Sequence, residues 1–130
     1  MISRDPLRDP LARARNWGSA KSGSEHFIWQ RVTAVALALL TPWLVWLLLT
    51  LIPADYATVR ATLANPVHGA LMLAYVVSLF WHLRMGLQVV IEDYVPRHGL
   101  NIALQLAVLF ACTLGALACL VAIGRIVLTA

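Results

Sequence analysis

Along this chain apolar residues come in long unbroken runs instead of alternating with polar ones. Val32 to Ala54 and Asn101 to Gly124 contain no Asp, Glu, Lys, Arg or His. Each satisfies the roughly 20 residues needed to cross a ~30 Å hydrocarbon core at ~1.5 Å rise per residue. A third run, Val67 to Ile91, is equally apolar except for His68, His82 and Arg84. The pattern predicts an all-α fold with three transmembrane helices at about residues 27–52, 67–93 and 100–125, because a soluble helical bundle would need a polar stripe that these runs lack. Residues 1–24 read as a basic segment ahead of a three-helix domain over 25–130. Pro53 and Pro66 bracket the first connection and Pro96 and Gly99 break the second, so short links and antiparallel neighbours are expected. Pro42, inside "LLTPWLVW", predicts a bend in the first span, with its freed carbonyl satisfied by a neighbouring helix or by Thr41.

Composition agrees with the pattern. Of 130 residues, 61% are hydrophobic and 12% charged, and mean hydropathy is +0.78, which places the chain among membrane proteins. The net charge of +4 and pI near 9.7 do not call for nucleic acid, since no nucleic-acid motif accompanies the basic residues. Their placement predicts topology instead. Arg4, Arg8, Arg13, Arg15, Lys21, Arg31 and Arg97 fall on one side of the spans, against Arg60 and Arg125 on the other. The positive-inside rule then puts the N-terminus and the second connection in the cytoplasm. Trp29, Trp43, Trp46 and Trp81 are candidate interface anchors. The opening 23 residues hold no apolar h-region, so a cleaved signal is not expected.

Chemistry concentrates in the second span. Cys112 and Cys119 lie in the third, about 10 Å apart along one helix face, too far for a disulfide and best read as packing residues. No cysteine cluster, dinucleotide fingerprint or phosphate loop is present, so flavin, nicotinamide or iron–sulfur chemistry would belong to partners. At 100° per residue His82 and Asp93 are about 20° apart around the helix and about 16 Å apart along it, with Tyr75, Ser78, Gly86 and Val89 on the same stripe. A histidine at membrane depth needs a partner, either haem iron or a group on a neighbouring helix. Arg84 is costly at mid-bilayer, roughly 2.5–3.5 kcal/mol on insertion scales, and needs an anion or a route to the surface. Asp93 and Tyr94 stand at the helix end, where a phenol can donate to a carbonyl oxygen while the carboxylate orients it or relays protons.

Two stretches add a resemblance. "HFIWQRVTA" entering the first span and "HLRMGLQVVIEDYV" closing the second resemble the small hydrophobic membrane-anchor subunit of succinate dehydrogenase (succinate:ubiquinone oxidoreductase, complex II), over residues 22–125. That resemblance implies that His82 is an axial ligand of haem b, shared with a sister anchor subunit. It implies that Asp93 and Tyr94 contribute to a ubiquinone site, that Arg31 lies near haem propionates and quinone, and that His26 matches a polar residue at the same helix entrance. The implied partners are a flavoprotein that oxidises succinate, an iron–sulfur subunit and a cytochrome b-type sister anchor. The implied location is a bacterial inner membrane. Two other readings stay open: a dihaem carrier using His68 and His82, fourteen residues apart, and a cofactor-free assembly subunit.

Overall fold

A computed structural model describes residues 21–129, and all regular structure among them is helical. Helix α1 runs Lys21–Leu51, α2 Tyr56–Ala64, α3 Pro66–Tyr94 and α4 His98–Leu128. Three stretches, Gly23–Leu51, Pro66–Tyr94 and His98–Leu128, are long and apolar enough to cross a membrane. At ~1.5 Å per residue each rises more than 40 Å, so both ends of every span reach the headgroup region. The expected basic segment lies outside the described residues up to position 20, and from Lys21 the chain is already helical. α1 continues through Pro42 as one helix.

α3 is the middle helix, packed against α1 on one side and α4 on the other. Both pairs are antiparallel. Between α3 and α4, a Cβ built on Gly69 would come within 2.6 Å of Val127 Cγ2, and one on Gly115 within 2.7 Å of Phe80 Cε1. Those glycines therefore let the two backbones approach at two levels, the use that membrane helices make of small residues. Between α1 and α3, Trp29 stacks on Trp81 with ring centroids 4.9 Å apart, and Trp43 stacks on His68 at 5.8 Å. The core is thin: Leu47, Met85, Ile91, Cys112 and Ile123 are its buried apolar side chains. Leu39, Val121 and Leu114 are instead 73%, 70% and 65% exposed. Such a surface is stable only against lipid or other membrane helices.

The first connection differs from the simple link expected from Pro53 and Pro66. It contains α2, which packs against α3 and α4. The Asp55 carboxylate caps α2 by accepting the Thr58 backbone N–H at 3.2 Å, and the Asn65 side chain caps α3 by accepting the Val67 N–H at 2.9 Å, with Pro66 in its first turn. Each cap satisfies a donor that a helix start leaves unpaired. Hydrogen bonds from Thr58, its side chain first and then its backbone, hold the Asp55 carboxyl below its ordinary range. Arg60 closes this end by donating from Nη2 to the Thr129 carbonyl at 2.8 Å. At the opposite end Asn101 Nδ2 donates to the carbonyls of Ile91 and Val95, at 3.1 and 3.2 Å. Gln105 Nε2 donates to Asn101 Oδ1 at 2.7 Å. This corner fixes where α3 ends, and so where Asp93 and Tyr94 stand.

Candidate functional site

The α1/α3 seam carries polar groups at membrane depth. Thr33 on α1 is buried, at 5% exposure, and its hydroxyl lies 2.9 Å from the Trp29 carbonyl and 3.2 Å from that of Gln30. The same oxygen is 3.1 Å from Nδ1 of His82 on α3. Both carbonyls can only accept, so the single hydroxyl proton is directed at the α1 backbone and a lone pair is left for Nδ1–H. In that arrangement the neutral imidazole keeps its acceptor lone pair on Nε2.

Further polar groups lie along the Thr33 face of α1. His26, Gln30 and Thr33 are spaced i, i+4, i+7 and fall within about 60° of one another on α1. His26 Nε2 and Gln30 Oε1 are buried without a hydrogen-bond partner among the described residues. Gly86, one turn beyond His82, would place a Cβ 3.9 Å from the Gln30 amide nitrogen. Buried polar atoms of this kind are normally paired, so the seam has hydrogen-bonding capacity that the described residues do not use. Sequence reasoning found His82, His26 and Gly86 but missed Thr33 and Gln30. The heptad spacing inside "HFIWQRVT" was the available signal.

The other expected site residues are placed differently. Asp93 and Tyr94 are exposed, Tyr94 at 80%. Thr33 faces His82, so the antiparallel register sets Asp93 across from the start of α1, at about residue 22. Arg31 is exposed and about 200° around α1 from Thr33, with its guanidinium carbon 5.1 Å from the centroid of the Phe27 ring. The chain therefore brings His82 together with Thr33, and Gly86 with Gln30, but does not bring Arg31 to Asp93 and Tyr94. Arg84, about 200° from His82 on α3, lines two clefts toward α4 of about 170 and 230 Å³. His68 lies against Trp43, with its Nδ1 buried and unpartnered among the described residues. No group of three or more His, Cys, Asp or Glu that could hold a metal ion occurs among the described residues.

The chain matches a family model described as succinate dehydrogenase/fumarate reductase transmembrane subunit over residues 5–116. It is 36% identical over 117 residues to a succinate dehydrogenase hydrophobic membrane anchor subunit of Rickettsia bellii, covering 90% of this chain and 94% of that protein. A protein of the same description from Rickettsia conorii is 38% identical over 114 residues, covering 87% and 90%. A third, from Rickettsia prowazekii, is 34% identical over 113 residues, covering 87% and 90%. With three apolar helices of spanning length and these relatives along nearly its whole length, the chain belongs to the succinate dehydrogenase hydrophobic membrane anchor family.

Proposed function

We propose that this anchor subunit presents His82 Nε2 as one axial ligand of haem b, contributes Asp93 and Tyr94 to a ubiquinone-reduction site, and offers Arg31 from the outward face of α1 to haem propionates or quinone. The observation that carries the reading is the His82 ring itself, 3.1 Å at Nδ1 from a buried hydroxyl whose own proton goes to the α1 backbone, and one turn from Gly86, which faces Gln30 and its unpaired carbonyl oxygen. That donor set fits axial ligation, for which neutral imidazole with a hydrogen bond on its remote nitrogen is the usual state. Gln30 supplies a polar contact at the level of Gly86 and His26 another one turn nearer the start of α1, and Gly86 leaves room for a flat ligand against the α3 backbone. Haem b, when bound, would supply a one-electron carrier within the membrane.

Tyr94 donates its phenolic hydrogen bond to a quinone carbonyl oxygen, and Asp93 orients the phenol and relays protons from the aqueous side. Arg31, on the outward side of α1, directs its charge toward acceptors held between this chain and the sister anchor, haem propionates or quinone oxygen among them. The partners in this reading are a cytochrome b-type sister anchor, an iron–sulfur subunit and a flavoprotein that performs succinate oxidation. The basic residues of the N-terminal segment, with Arg97, support a cytoplasmic N-terminus in a bacterial inner membrane, with Asp93 and Tyr94 on the side where soluble subunits dock.

The test is a pyridine haemochrome and optical spectrum on the purified complex, wild type against His82→Ala. One haem b per complex, with its low-spin signature lost in the variant, is expected. Two haems would favour the dihaem reading, no haem the cofactor-free one, and an unchanged spectrum in His82→Ala would remove His82 from the ligand set.

A further inference from the structure

The proposed ligand is half-buried and is hydrogen-bonded on the nitrogen remote from any iron. We infer that Thr33 is a positioning residue for His82: its hydroxyl, anchored to the α1 backbone, fixes both the tautomer and the plane of the imidazole offered to haem. This rests on the haem-ligand reading and adds a device that neither motif nor histidine spacing contains.

Three observations carry it. Thr33 Oγ1 lies within hydrogen-bond range of three groups, the carbonyls of Trp29 and Gln30 at 2.9 and 3.2 Å and His82 Nδ1 at 3.1 Å. With one proton and two acceptor-only carbonyls of its own helix in reach, the hydroxyl donates backward and accepts from Nδ1–H. Secondly, Thr33 is the buried polar side chain of the described core, at 5% exposure. The hydroxyl itself is therefore shielded from water. Thirdly, Trp29, whose carbonyl takes the hydroxyl proton, is itself stacked on Trp81, the residue before His82. The two helices are thus held together one residue from the ligand, and the Thr33–His82 geometry is braced from both sides of the seam.

Chemically, an N–H donated to a hydroxyl oxygen makes the opposite nitrogen more basic, and such partners orient the ring of a metal-bound histidine. A more basic axial imidazole favours ferric over ferrous haem. Removing the acceptor should raise the midpoint potential and let the ring turn.

The experiment compares wild type, Thr33→Val and Thr33→Ser in the whole purified complex, by redox-poised optical titration and by electron paramagnetic resonance of the ferric haem. Thr33→Val, which keeps shape and loses the hydroxyl, is expected to show a higher midpoint potential and a shifted or broadened largest g-value. Thr33→Ser is expected to restore wild-type values for both. Loss of haem in Thr33→Val with retention in Thr33→Ser supports the same assignment, because packing is lost more in Ser than in Val. Wild-type potential and g-values in Thr33→Val, or equal disturbance in Val and Ser, would overturn it. If His82→Ala leaves haem ligation intact, the haem-ligand reading fails and this assignment with it. A normal response to His82→Ala with a silent Thr33→Val sinks the positioning role alone.

Discussion

The two seams of α3 are built on opposite principles. Toward α4 the contact is apolar and close, with Gly69 under Val127 and Gly115 under Phe80. Its polar groups at the helix corner are paired, through Asn101, Ile91, Val95 and Gln105. Toward α1 the seam holds two stacked aromatic pairs, a threonine–histidine hydrogen bond, and buried polar atoms on His26, Gln30 and His68 with no partner among the described residues. The first seam, with clefts beside Arg84, is held by close glycine contacts and by corner groups paired among the described residues. The other leaves hydrogen-bonding capacity open, which in hydrocarbon is retained only if something else satisfies it. A single helix therefore separates a closely packed face from one with unpaired polar atoms, and His82 is on the second while Arg84 is on the first.

That contrast can be broken first at the closed seam. Gly115→Val forces a side chain into the Phe80 ring and should destabilise the anchor by about 1–3 kcal/mol. Detergent or thermal dissociation of the purified complex would show it, and a wild-type midpoint would mean that α3 and α4 are not tightly apposed. The second test lies at the open end of α3. Tyr94→Phe deletes one hydroxyl and should slow quinone reduction roughly tenfold, the weight of one hydrogen bond of about 1.4 kcal/mol. Succinate oxidation with an artificial acceptor should be nearly unchanged, while equal loss in both assays would point to failed assembly.

A third variant discriminates the seams by sign. Gln30→Leu removes a buried carbonyl oxygen that has no partner among the described residues, so stability should stay within about 0.5 kcal/mol of wild type. The haem spectrum or quinone kinetics should change nevertheless. A large stability loss with unchanged redox behaviour would make Gln30 a packing residue and erase the distinction between the two faces. The smallest effect belongs to Asp55. Thr58 holds its carboxyl below the ordinary value of 3.8, so its capping contribution is fully present above that value and is lost as pH falls through the lower folded value. Asp55→Ala should therefore weaken α2 slightly at neutral pH, by hydrogen exchange of Thr58 and its neighbours, and make no difference once the carboxyl is protonated in the folded chain.

Much of the fold was legible because hydrocarbon imposes long apolar runs, and three of them mark α1, α3 and α4. The nine residues of α2 were not. "YATVRATLA" is neither apolar enough to span nor strongly amphipathic, and its start depends on one carboxylate reaching one N–H three residues on. At the site, helical arithmetic put Gly86 on the His82 stripe, and both face α1. Thr33 and Gln30 escaped because their partners are 49 and 56 residues away, a register that only packing sets. The outward turn of Arg31 is of the same kind. Its motif gives its place in the sequence, whereas its direction follows from which face of α1 meets α3.

Whether the open seam between α1 and α3 seats the redox group is tested most directly by an anomalous-difference map at the iron edge, from crystals of the whole complex. A peak of one haem iron at bonding distance from His82 Nε2, with Thr33 behind the ring, is expected. Iron confined to the soluble subunits, with the His82 ring turned to lipid or to a neighbouring side chain, would contradict it.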